Sequence, residues 1–176
     1  MAKLLDTKCL HLREFELKDA QKLFALNSAP EVMRFTGDPP FASIDEARSF
    51  LENYNAYKKT GMGRWAVELK LTGEFVGWCG LKQHEDYVDL GFRFFKKEWG
   101  KGFATEAGQA CIDFGFNFLY IEEIIGRAAQ QNLASIRVLE KLGMQYWKSD
   151  TCKGIENSVY YGITNAQFQS HKNKSR

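Results

Sequence analysis

The stretch Trp99-Gly100-Lys101-Gly102-Phe103-Ala104-Thr105 constrains this chain more than any other. It lies between a strand-like run, Val88 to Phe94, and a helical run, Ala104 to Tyr120. A glycine-rich turn that ends a strand and opens a helix leaves the first N–H groups of that helix without backbone partners. Together with the positive end of the helix dipole, those donors make a site for an anion such as a phosphate. Gly100 and Gly102 let the backbone come close to a bulky ligand, and Lys101 adds a charge. Two known phosphate-binding patterns fail on spacing. A P-loop ends in Gly-Lys-Ser/Thr, whereas Gly102 and Phe103 follow Lys101. A dinucleotide fingerprint counted from Gly100 needs a third glycine where Thr105 stands. The loop alone fits an ordinary strand-to-helix turn equally well.

The segment Asn132 to Met144 adds a second helix with clear ends. Asn132 and Ser135 suit its N-terminus, and Gly143 stops it. With this helix in view, the sequence resembles the GNAT superfamily of acyl-CoA-dependent N-acyltransferases, and within it the RimJ/RimL-like branch. Leu90-Gly91-Phe92-Arg93-Phe94, Trp99 to Glu106 and Asn132 to Met144 carry the resemblance, with Pro40 to Ala47 a weaker match. It runs from about Cys9 to Ile163.

The resemblance implies acetyl-CoA as cosubstrate, with its pyrophosphate on Gly100, Lys101, Gly102, Phe103, Ala104 and Thr105. It implies that the backbone of Phe92, Arg93 and Phe94 pairs with the pantetheine arm, the Phe94 N–H facing the thioester oxygen. Asn132 is read as a side-chain partner of the arm, as a helix cap, or as both. Trp99 stands where many members carry Arg or Gln, and its ring is expected to anchor the loop.

The catalytic residues depart from the common pattern. Leu139 occupies the place of a tyrosine acid, and Arg127 that of a glutamate base. Ser135, one turn before Leu139, is the substitute acid for the departing thiolate, or else a capping hydroxyl. Asp89 is preferred to Glu156 as base because a strand fixes its surroundings, with a water chain as the alternative. Direct transfer to a primary amine, a protein or peptide N-terminus, is the leading function. The alternatives are a small-molecule amine acetyltransferase and a non-catalytic acyl-CoA-binding domain.

Composition bounds these readings. A chain of 176 residues is long enough for one sizeable core and short for two, so a single domain is expected, with its core over about 9–165. The basic run His171 to Arg176 reads as a solvated tail. A net charge of +2 gives no field for nucleic acid or an anionic membrane. No run approaches the roughly 18 apolar residues of a membrane helix, and the N-terminus lacks a signal-like apolar centre, so a cytoplasmic monomer or homodimer is expected. The four cysteines and three histidines are too scattered for a metal or redox motif, and no metal is expected.

Patterning gives the remaining elements. Strands are expected near Leu10–Phe15, Arg64–Lys70, Phe75–Gln83, Val88–Phe94, Glu123–Ala129, Gln145–Lys148 and Ser158–Thr164. A capping box at Ser43-Ile44-Asp45-Glu46 opens a helix expected to reach about Lys59. The helix after the glycine loop is expected to bury Phe103, Ala107, Ala110, Cys111, Phe114 and Phe118. Hairpins around one strand–helix–strand unit give an α+β fold with a mixed, mostly antiparallel sheet. The resemblance implies that its central parallel pair is splayed.

Overall fold

The alternating apolar residues expected to make strands do so, and they gather into one sheet. A computed structural model describes residues 3–152 and 154–174. Its strands are β1 (Lys3–Asp6), β2 (Leu10–Arg13), β3 (Arg64–Leu69), β4 (Phe75–Gln83), β5 (Val88–Phe94), β6 (Glu123–Ala129), β7 (Gln145–Cys152) and β8 (Ile155–Thr164). They lie in the order β1-β2-β3-β4-β5-β6-β8-β7. Only β5 and β6 run parallel among these neighbours, as the intervening helix requires.

The helices are α1 (Ala20–Leu26), α2 (Pro30–Met33), α3 (Ile44–Glu52), α4 (Ala56–Thr60), α5 (Phe103–Asn117), α6 (Leu133–Lys141) and α7 (Asn165–Lys174). On one face α5 packs against β4 and β5, and α1 packs with α3 on the other. The main core lies under α5, where Trp65 meets Phe114 edge-on at 5.5 Å and Cys79 lies beside Cys111. Those two thiols are free and 3.6 Å apart, and burial pushes the Cys111 thiol up. Smaller clusters around Leu26 and Leu23 seat the opposite helices, with Trp78 packed against both.

Two expectations change. The Ser43 helix begins as its capping box dictates, with Ser43 Oγ accepting from the Glu46 N–H at 3.1 Å, but it ends at Glu52. Tyr54 leaves the helix there so that its hydroxyl can accept the Arg64 N–H at 2.7 Å, and α4 starts afresh. The buried face of α5 is rotated from the expected stripe. Phe118 is exposed and Phe116 is buried, because Gly108 and Gly115 form part of the inner face. A Cβ on Gly108 would lie 2.8 Å from Leu142, so the glycines set the close approach of α5. The basic run His171 to Lys174 forms the last turn of α7 with all four residues exposed, and the buried Phe168 lies ahead of it. Phe168 inserts beside Phe116, with ring centres 4.9 Å apart, and Lys172 reaches Asp113 at 3.4 Å.

Candidate active site

The site begins where the parallel pair ends. Val88, Asp89 and Leu90 pair with Ile124, Ile125 and Gly126, and beyond Leu90 the two strands part. On its other edge β5 stays paired with β4 through Phe94. The Phe95 N–H donates to the Val76 carbonyl at 3.1 Å, which fixes the alternation along this antiparallel pair. Phe92 and Phe94 therefore turn their backbone groups away from β4, into the gap. Arg93 does not. Its backbone faces Trp78 on β4, which corrects the expectation that all three residues offer backbone groups to the arm.

The glycine loop closes the wide end of the gap. Gly100 (φ +76°) and Gly102 (φ +84°) both take left-handed backbone, and a Cβ at either would meet no atom within 4 Å. Gly102 caps α5 without a side-chain bond, so the first N–H groups of a 15-residue helix point to open space. The Trp99 indole N–H donates to the Phe94 carbonyl at 2.9 Å and ties the loop to the end of β5, while the ring stays about half exposed. Lys101 turns aside to Glu98, Nζ to Oε2 being 2.9 Å, and so reaches the anion site through its backbone only. These features suit coenzyme A: a bare helix end with a glycine cradle for a pyrophosphate, and a strand edge for an amide-bearing arm.

On the far side of the gap stands α6. Asn132 caps it, Oδ1 accepting from the Ser135 N–H at 3.2 Å. Asn132 and Ser135 both line the cleft, a space of ≈ 1410 Å³ that also includes Gly91 to Phe94 and Gly102 to Thr105. Leu139 is buried against Gly126 and away from the cleft.

Asp89 is brought to the cleft wall but in a state unlike that of a base. Arg64 grips its carboxylate with two contacts of 3.0 Å, His84 Nε2 sits 2.8 Å away, and Arg127 lies at 3.4 Å. Burial would raise its pKa, but the Arg64 charge, the His84 hydrogen bond and the Arg127 charge outweigh that effect. The carboxyl is held well below the usual range and has little affinity for a proton. Asp89 is thus a counter-ion, which corrects its reading as general base.

Four functional neighbours escape the sequence reading: Arg64, Trp78, Asn27 and Asp38. Gly80 and Gly91 stand opposite each other on β4 and β5, and the Arg64 guanidinium fills the place a Gly91 side chain would take, 2.7 Å from the ideal Cβ. Arg64 and Arg93 both lie over the Trp78 ring, at 5.3 and 5.1 Å. Arg93 is held by Asn27 Oδ1 at 2.7 Å and Asp38 Oδ2 at 2.8 Å. The glycine pair becomes visible only once strand register is known.

The acetyltransferase (GNAT) domain profile matches residues 10–145. The chain belongs to the GNAT acetyltransferase family. It is an N-acetyltransferase with the GNAT fold, and GNAT enzymes draw their acetyl group from acetyl-CoA. Among its relatives are YkkB of Bacillus subtilis, 35% identical over 154 residues, covering 82% of this chain and 87% of that one. The N-acetyltransferase p20 of Bacillus licheniformis is 34% identical over 145 residues, covering 80% and 82%. A GNAT acetyltransferase from Bacillus anthracis superposes with a TM-score of 0.78 at 28% identity, covering 92% of this chain and 98% of that one. Among the described residues no helix is long and apolar enough to cross a membrane, and no cluster of metal ligands occurs.

Proposed function

We propose that the protein acetylates the N-terminal amine of a protein or peptide by direct transfer from acetyl-CoA within one ternary complex, as a RimJ/RimL-like member of its family. The observation that carries the transfer is the parting of β5 from β6 beside the bare N-terminus of α5. The Phe92 and Phe94 N–H groups meet the arm and the thioester oxygen, where fixed donors stabilise the charge that develops during attack. Gly100, Lys101, Gly102, Phe103, Ala104 and Thr105 hold the pyrophosphate through their backbone. Asn132, whose Oδ1 serves the helix cap, offers its amide N–H groups to the arm. Ser135 presents its hydroxyl to the departing thiolate. Both buried thiols lie under α5 in the core, away from the cleft lining, which favours direct transfer over an acyl-enzyme.

A small amine is the competing acceptor. One relative, 32% identical over 177 residues, is an acetyl-CoA N(2)-transacetylase of Aspergillus fumigatus whose name specifies FsC. Release of free thiol from acetyl-CoA, followed with free-N-terminal peptides, N-terminally blocked lysine peptides and spermidine, separates the readings. Transfer to free N-termini alone is expected. Equal transfer to blocked lysine peptides, or preference for spermidine, would end the N-terminal reading and leave the acetyltransferase standing. No thiol release with any amine would leave only acyl-CoA binding.

A further inference from the structure

The acceptor side of the cleft has a chemical character that narrows the substrate. Its floor includes Gly91; the Arg64 guanidinium lies over it and donates to the carbonyl of Gly80 on the paired strand. Beside it, Arg93 shares the Trp78 ring with Arg64, and Lys82 and the exposed Arg34 line the approach. Of the carboxylates lining the cleft Glu31 is exposed, but the two beside these guanidinium groups are engaged already. Asp89 is gripped by Arg64, and Asp38 is bound to Arg93. Beside Arg64 and Arg93 a polyamine would have to displace a guanidinium to reach a carboxylate. Such exchanges cost the desolvation of a charge left without its partner.

The Arg93–Asp38 pair is asymmetric in a way that suggests the opposite exchange. The Arg93 side chain is 10% exposed and that of Asp38 34% exposed, so the anion forms the solvent side of the pair. Asp38 belongs to the irregular segment between α2 and α3, whereas Arg93 is held in β5, one residue from its C-terminal end. Burial lowers the Arg93 pKa and Asp38 acts to restore it, so this cation needs an anionic neighbour. An acceptor carboxylate that takes the place of Asp38 keeps the local charge unchanged. Arg93 and Asp38 line the same cleft as Phe92 and Phe94.

The geometry points to an acceptor that carries a carboxylate beside its reacting amine, received by Arg93 in exchange for Asp38. Resting on the N-terminal reading above, this means peptides with an acidic residue at the second or third position. The arginine's planar fork suits bidentate recognition of such a group.

The test compares kcat/KM for peptides identical except for Glu, Gln or Lys at those positions, each made with a free N-terminus and also blocked with a lysine acceptor. The Glu peptide is expected to exceed the Lys peptide by about tenfold or more, the scale of one charge-assisted contact. Arg93→Gln is expected to reduce that ratio to near one, and Asp38→Asn, at a half-exposed position, to increase it. Equal rates across the series, a preference for Lys, or a Glu preference that falls in Asp38→Asn would overturn the proposal. The charge ratio is read on whichever amine reacts. Activity confined to the blocked series would therefore remove the N-terminal reading without touching the carboxylate one.

Discussion

At the scale of single residues, the site is decided by which polar groups are already satisfied. Asp89 spends its charge on Arg64, His84 and Arg127, and it is almost fully buried. Asp89→Asn would leave Arg64 buried beside a neutral amide and is expected to cost about 3–5 kcal/mol of stability at pH 7. The sign of the pH dependence follows from the depressed folded-state pKa. The stabilisation is complete above the unfolded carboxylate value near 4 and is lost as pH falls below it. Urea unfolding at pH 7 and again at pH 3 should show the gap between wild type and Asp89→Asn narrowing in acid. A gap that widened in acid would refute the counter-ion role. Ser135 is the contrasting case. Its N–H is used in the cap of α6, while its hydroxyl has no bond within the described residues and lines the cleft. Ser135→Ala is expected to lower kcat by about 100-fold if the hydroxyl assists thiolate departure. The cap bond uses the Ser135 backbone, so folding and acetyl-CoA affinity should change little. Unchanged kcat would return Ser135 to a structural role and leave water to protonate the thiolate.

At the scale of elements, the phosphate site depends on α5 having glycine, and nothing else, at its start. Gly102 has φ +84° and faces open space, so a side chain there strains the backbone and enters the volume reserved for the anion. For Gly102→Val the backbone term is about 1–2 kcal/mol. Calorimetric titration with coenzyme A at a temperature well below unfolding is expected to show a far larger loss of affinity than of stability. Equal affinity in a folded variant would remove the loop from the binding site. This loop was legible because its signal is local: glycines between a strand pattern and a helix pattern. For the same reason β4, β5 and β6 fall on the expected residues. What escaped was non-local. The α5 face was misjudged because Gly108 and Gly115 carry no apolar side chain to mark it, although their lack of one lets the sheet approach. The last helix was hidden by its basic residues, since a single aromatic, Phe168, holds it down. Arg64 gave no warning either, because its meaning comes from Gly80 and Gly91 meeting across strand register.

At the scale of the whole molecule, a near-neutral chain concentrates positive charge in one cleft. Its net charge is +2, yet the cleft is lined by eight Lys or Arg residues against four Asp or Glu. Of those four carboxylates, Asp38 pairs with Arg93, Asp89 with Arg64 and Glu98 with Lys101, while Glu31 is exposed. No histidine is among the lining residues. Among the described side chains the cleft therefore offers no group with a proton affinity suited to taking a proton from an ammonium ion near neutral pH, and the side chain of Glu156, the alternative base, lies outside them. Its cationic walls instead favour arrival of the amine in its neutral form. The pH dependence of kcat/KM should then belong to the acceptor rather than to the enzyme. Below the acceptor's pKa the rate is expected to rise about tenfold per pH unit, and above it to level off. A peptide α-amine should level near pH 8, whereas a lysine side chain, if it reacts at all, should still be rising at pH 9, since their ordinary pKa values are about 7.7–8.0 and 10.4. The measurement is kcat/KM from pH 6 to 9.5 with amines of graded basicity. A plateau that tracks the amine supports a cleft without a base. A plateau fixed at one pH for every acceptor would mean that a group on the protein takes the proton.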